Sequence, residues 1–502
     1  MNRGISALLP RLAGVCFALV ALAGCAHAAT SRVDRDIADR LRTHIEVLAA
    51  DDFEGREPGT EGEAQTLRYL GRQWFDIGLV SGTNDPGNEW FAPVELVARE
   101  PAGSTVQFFR RGRPLFVDPS EVMVLTSGRR ALVRDAPLLF VGRAEDLDFT
   151  RTELAGRVAV LLDGDIEGGE RQNALLKQGA AGVLTVLDGE RTLEQVEARR
   201  RRSGYALADD SLGGDLEGFV TGEAMTSLLR GSKYTLAGLE KMSREPGFSP
   251  IAFELTASLE ATTRETTIRT HNLIGKIPGR RPDAGAVLFV AHWDHFGVCG
   301  EETAEDRICN GAIDNASGVA ALTEVARQLT KGRQPDRDIY FLATTAEELG
   351  LLGAHAFAEN PPLPLESIVA AFNIDSIALA PAHTPVAIVG RGMTGLDSEI
   401  ERVARREKVK VVPGDEANEY VKRQDGWALL QHDVPTVMVT TSYGEIDRMR
   451  RFFDGDYHRP SDDLSHPLEL GGAVEDVRML VALGRWFADV RRVPKPPSTP
   501  AN

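Results

Sequence analysis

From about Thr267 onward the chain alternates short apolar runs with stretches of helical period, and this constrains the fold more than any other feature. The runs Ala286 to Ala291, Ile339 to Ala343, Val369 to Ile374, Val386 to Val389 and Thr436 to Thr440 are strand-sized and bounded by turn residues. Between them, Gly318 to Leu329 places Val319, Leu322, Val325, Ala326 and Leu329 on one helical face. Leu396 to Lys408 and most of Glu469 to Val490 are helical as well. Strands alternating with helices predict an α/β fold, with a mostly parallel mixed sheet flanked by helices on both faces.

At 502 residues the chain has room for two or three domains, each with a full apolar core. Residues 31–97 read as an N-terminal part of the same domain. Ile37, Leu41, Ile45, Leu48 and Ala49 recur at helical spacing, the run Phe53 to Thr60 breaks the pattern, and Ala64 to Ile77 resumes it. Residues 98–257 change texture to short β-like runs, with strand candidates Leu138 to Val141, Val158 to Leu162 and Val183 to Leu187 and a short helix at Gln172 to Lys177. The charged run Glu197 to Arg202 reads as a solvated surface or loop. This block holds no cluster of histidines, cysteines and carboxylates suited to chemistry, so it reads as an inserted β-rich accessory domain. Residues 258–492 form the chemical part, and 493–502 are a proline-rich tail expected to be disordered.

The first 25 residues carry Arg3 and Arg11 and an apolar run from Leu12 to Ala23, too short to span a bilayer and typical of a signal peptide. Leu22-Ala23-Gly24-Cys25 resembles the lipobox of bacterial lipoproteins, which makes Cys25 a candidate lipidation site and places the protein in the cell envelope, lipid-anchored. Ordinary cleavage after Ala26-His27-Ala28, giving a secreted protein, is the competing reading. In an exported protein the remaining pair, Cys299 and Cys309, points to a disulfide, since its spacing matches no zinc knuckle. The net charge of −17, from 57 basic and 74 acidic residues, argues against a nucleic-acid partner without naming a substrate.

Five places in the last segment put metal-type side chains at or just after a strand: His292-Trp293-Asp294-His295, Asp314-Asn315, Glu347-Glu348, Asp375 and His458. Ligand sites of open α/β sheets lie at the carboxyl ends of the strands, so these positions are able to converge. Imidazole and carboxylate suit zinc, and two zincs would stand ~3.5–4 Å apart around a bridging hydroxide. Each residue has a plainer explanation when taken singly. His292 and His458 are ordinary structural histidines, Asp294 and Asp375 turn residues, Asp314-Asn315 a helix cap, and Glu347-Glu348 an acidic first turn. Five such positions together are harder to explain as structure alone. His-x-Asp on a strand also puts Asp294 on the same face as His292, where it can orient the imidazole.

The segments 291–297 (AHWDHFG), 310–318 (NGAIDNASG), 347–353 (EELGLLG), 373–375 (NID) and 456–463 (DYHRPSDD) resemble, in order, the signature segments of the M28 zinc peptidases, specifically those with an inserted protease-associated (PA) domain. The resemblance extends to 54–60 (EGREPGT) and covers nearly the whole mature chain. It implies two Zn2+ per chain, one held by His292, Asp314 and Asp375 and the other by Asp314, Glu348 and His458. Asp314 bridges, Asp294 orients His292 and Glu347 is the general base. The implied activity is release of N-terminal residues from peptides. A carboxypeptidase or other amide hydrolase, with Arg391, Lys422 or Arg423 on a substrate carboxylate, is the alternative, as is a non-catalytic binding lipoprotein. Tyr457 is a candidate substrate contact, and His295 is expected to be structural. Ile313 stands where an acidic or amide residue is common, 298–307 resembles an insertion, and Arg423-Gln424-Asp425-Gly426 departs from the family's usual Ser-Asp-His.

Overall fold

The computed structural model describes residues 32–494 except 88, 144–148, 165–169, 203, 210–214, 301–302 and 466. The segment read as a signal peptide, with Cys25, and the tail from 495 lie outside the described residues. The chain divides into two compact units, one made of Met1–Val94 with Arg269–Asn502 and the other of Glu95–Ile268.

The first unit is built on a sheet ordered Ala387–Val389, Thr436–Thr440, Ile368–Asn373, Ala286–His292, Asp338–Thr344, followed by the end of the long strand Ile251–Ile277. The four middle strands run parallel, while the strand at each side of them pairs antiparallel. Every residue of Ala286–His292, Asp338–Thr344, Ile368–Asn373 and Thr436–Thr440 is buried. That explains why these strands are continuously apolar rather than alternating: both faces are covered. Val287, Phe289 and Ala291 point to the helices 32–48, Glu61–Asp76, Gly318–Thr330 and Leu470–Phe487. Leu288 and Val290 point the other way, toward Phe357 and Leu429 on the short helices Leu352–Glu359 and Asp425–Gln431. Phe289 is in register with Phe341 on one side and Phe372 on the other, with ring centroids 5.6 and 5.4 Å apart. These three rings form a rung across the centre of the sheet.

The second unit has four mutually parallel strands, Arg130–Gly142, Val158–Leu162, Gly182–Leu187 and Glu217–Thr221, with Val122–Leu125 antiparallel at the edge. Its return strand does not end near residue 257, as the change of texture suggested, but runs unbroken from Ile251 to Ile277. A strand that continues from one unit into the next leaves no turn residue to mark the boundary. Glu197–Arg202 is not a loop either: it completes the helix Leu193–Arg202, with Val196 turned inward.

Candidate metal centre

The residues singled out at strand ends converge in the first unit. His292 is the last residue of its strand, Asp375 lies two residues beyond Asn373, and Glu347 three residues beyond Thr344. Asp314 sits in the turn Ala312–Ser317 that feeds the helix Gly318–Thr330, and its peptide bond to Asn315 is cis. His458 follows the helix Ile446–Gly455 with φ of 59°.

The carboxylate of Asp314 faces two imidazoles at once. Its Oδ1 is 3.3 Å from Nε2 of His292 and its Oδ2 is 3.4 Å from Nε2 of His458. Asp375 Oδ1 approaches His292 Nε2 at 3.6 Å, and Glu348 Oε2 approaches His458 Nε2 at 3.0 Å. Two three-residue sets therefore share Asp314. Glu347 stands further back, with Oε2 3.9 Å from His292 Nε2. Proximity alone also groups His292 with Glu347 and Asp375, and His292 with Asp314 and Glu348. The shorter approaches of Asp314 and Asp375 favour leaving Glu347 outside the ligand set.

The electrostatics fit a divalent cation. Both His292 Nε2 and His458 Nε2 are buried without a hydrogen-bond partner, an arrangement that buried polar atoms normally avoid. Burial pulls the His458 imidazole down, but Glu348 and Asp314 outweigh it and lift it to about 10. Burial raises the Glu347 carboxyl well above the ordinary range, with Glu348, Asp375 and Asp425 adding to it and His292 opposing. Such crowding of carboxylates calls for positive charge, and imidazole with carboxylate oxygen is a zinc-type donor set.

The surrounding contacts correct several of the plainer explanations. Asn315 does act as a cap, since its Oδ1 accepts from the Gly318 amide at 3.0 Å, but it also accepts from the Ser376 amide at 3.2 Å and donates to the Ile374 carbonyl at 3.1 Å. It thereby ties the Asp314 turn to the segment carrying Asp375, while Asp314 itself faces the site. Glu347-Glu348 is not the first turn of a helix, which begins only at Leu352; both residues precede it in a turn. Nδ1 of His292 bonds the backbone carbonyl of Asp294 at 3.2 Å, with the Asp294 carboxylate 3.7 Å away. That carboxylate instead accepts from the amides of Glu347 at 3.1 Å and Glu348 at 3.4 Å. Asp294 thus locks the Glu347 turn to the His292 strand as well as backing the imidazole. His295, expected to be structural, holds Glu348 through Nδ1 to Oε1 at 2.5 Å.

Asp462 escaped the sequence reading as a site residue. Its carboxylate accepts from the amides of Ile313 at 2.9 Å and Asp314 at 3.0 Å and fixes the backbone of Asp314. Its presence in the 456–463 segment was the available signal. Tyr457 stacks on His458 with centroids 3.5 Å apart. Burial raises its hydroxyl well above the usual value, reinforced by Asp314, Glu348, Glu347 and Asp375. Tyr443 is similarly raised by burial, then by Asp375 and Asp314, and packs at a tilt against Tyr420, with ring centroids 5.4 Å apart. Cys299 and Cys309 form a disulfide, with Cα atoms 5.7 Å apart, across the small hairpin Gly297–Val298 and Ile308–Cys309.

Fold and site define an α/β protein with a cluster of histidines and carboxylates, two imidazoles facing one shared aspartate, at the carboxyl ends of a parallel sheet. Residues 272–481, which contain all of the converging positions, match the model of peptidase family M28. Aminopeptidase YwaD of Bacillus subtilis is 28% identical over 244 residues, 48% of this chain and 44% of the relative. A vacuolar membrane protease of Pyricularia oryzae is 38% identical over 91 residues, 18% of this chain and 8% of that protein. The chain thus spans under half the length of these relatives. The solved aminopeptidase from Aneurinibacillus sp. strain AM-1 shares the fold, with a TM-score of 0.54 at 18% identity over 89% of this chain and 92% of that one.

Proposed function

We propose that the chain is a two-zinc aminopeptidase, exported and anchored through lipidated Cys25. The observation that carries the reading is Asp314, whose two oxygens face His292 and His458 separately. In this reading His292, Asp314 and Asp375 hold one zinc, and Asp314, Glu348 and His458 hold the other. When bound, the ions supply positive charge that polarises a peptide carbonyl and acidifies water.

The protein's own groups do the rest. Glu347, left outside the ligand sets, takes the proton from the attacking water on a carboxylate oxygen and delivers it to the leaving amine nitrogen. Its turn is fixed by Asp294 through the two amides, which holds the Glu347 backbone in place as the proton moves. Tyr457 and Tyr443 bring hydroxyls toward the carboxylate cluster, where they bind substrate. A carboxypeptidase would need a free cation for the terminal carboxylate. Arg391 is not free for that: it pairs with Glu401 at 2.8 Å and the Val412 carbonyl at 3.1 Å. The names of the relatives, an aminopeptidase among them, favour cleavage at the N-terminus. The inserted unit, read as a PA domain, is assigned a part in substrate selection. Among the described residues no helix is long and apolar enough to cross a membrane.

The test is hydrolysis of unblocked aminoacyl amides, their N-acetylated twins and C-terminally free peptides, with and without a chelator. Chelator-sensitive cleavage that requires a free amine is the expected result. Cleavage that tolerates the acetyl group and requires a free carboxylate would overturn the aminopeptidase reading in favour of a carboxypeptidase.

A further inference from the structure

Arg56 is 1% exposed, and a guanidinium leaves water only where its charge and donors are compensated. It lies in the turn after the first helix, where Glu54, Gly55 and Arg56 take successive φ values of 48°, 62° and 53°. Such a run of left-handed residues persists where the surroundings enforce it. They do so here by close approach. A Cβ on Gly55 would come within 2.4 Å of the Cys309 carbonyl oxygen and 2.8 Å of Gly297 Cα. The turn is pressed against the disulfide hairpin that links the His292 strand to the Asp314 turn.

From that position the guanidinium reaches three segments. Its Nε donates to the carbonyl of Trp293, between His292 and Asp294, at 2.8 Å. Nη1 donates to the carbonyls of Leu48 and Asn310, and Nη2 to that of Gly311 at 3.0 Å. Asn310 and Gly311 lead directly into the Asp314 turn. The carboxylates of Asp462, Asp294, Asp314 and Glu348 lie close enough to act on the guanidinium and offset its burial.

We propose that Arg56 is a positioning residue of the metal centre, holding the end of the His292 strand against the Asp314 turn and placing a permanent positive charge beside their carboxylates. It touches neither ligand atom nor substrate and acts through the carbonyls it gathers. Lysine cannot replace it, because an ammonium on a flexible stem lacks the planar fork that serves several carbonyls at once. The inference rests on the two-zinc reading.

The experiment compares full-length wild type, Arg56→Lys, Arg56→Met and Gly55→Ala. The readouts are zinc affinity, by competition with a chromophoric chelator, melting of the metal-free protein, and kcat and KM at saturating zinc. Gly55→Ala keeps the guanidinium but forces the turn off the hairpin, and it stands in for Arg56→Met should that variant not fold. All three variants are expected to bind zinc ~10–100-fold more weakly, as supporting contacts of metal ligands do when removed. A fall in kcat with KM within ~2-fold of wild type is expected alongside. Lower melting temperatures with unchanged zinc affinity would reduce Arg56 to an ordinary fold contact and overturn the inference. A wild-type-like Arg56→Lys would overturn positioning in favour of charge alone. Wild type that binds no zinc would overturn the metal reading itself, which keeps the two failures distinct.

Discussion

Asp314 is held in place by contacts from three sides. Its amide is bound by Asp462, its neighbour Asn315 is tied to Ile374 and Ser376, and its two oxygens face separate imidazoles. Glu347 is set apart by the same geometry, which leads to a prediction at this scale. Glu347→Ala keeps its zinc, because it removes no ligand, but lowers turnover by ~10²-fold or more. Parallel zinc and rate measurements check this, and an unchanged rate contradicts the general-base role. The residues proposed as ligands were legible because histidines and carboxylates at strand ends are conspicuous in a sequence. Asp462 and Arg56 were not, since their partners are backbone amides and carbonyls, and every residue carries those. Asp294 was legible on only one side: its face beside His292 follows from strand alternation, while its hold on the Glu347 turn does not.

At the level of elements, period and burial told the same story wherever a strand was covered on both faces. The five strands read in the last segment correspond to observed strands within two residues at each end. Short helices such as Leu352–Glu359 and Asp425–Gln431 escaped notice, as two turns give too few residues to show a period. The cysteine pair was readable as a disulfide, while the hairpin that it closes was read only as an inserted loop. Its closure, over a sequence separation of 10, is worth about 2–3 kcal/mol by loop entropy. The double variant Cys299→Ala/Cys309→Ala is therefore expected to unfold at lower denaturant concentration by about that free energy. Unchanged stability, or two free thiols in unfolded, unreduced protein, would contradict it.

For the molecule as a whole, stability is expected to depend on pH through His44. It is buried, with Nδ1 2.6 Å from the Tyr69 hydroxyl. Burial, with Arg327 and Arg40 adding to it, lowers its imidazole from 6.5 to about 4. A base depressed in this way stabilises the fold above pH 6.5 and loses that contribution as pH falls toward 4. The loss is on the order of 3 kcal/mol, and His44→Gln should remove this part of the acid slope in denaturant unfolding. An identical slope in the variant would show that His44 is not the group responsible. The change of texture was read as ending near residue 257, whereas the second unit runs to Ile268, inside the continuous strand Ile251–Ile277, where no turn residue marks a boundary.

The measurement that bears most directly on this reading is the number of zinc ions bound per chain, obtained by titrating metal-free protein against a chelator of known affinity. The shared position of Asp314 predicts two. One ion or none would contradict the bridged centre, and with it the division of labour assigned to Asp314 and Glu347.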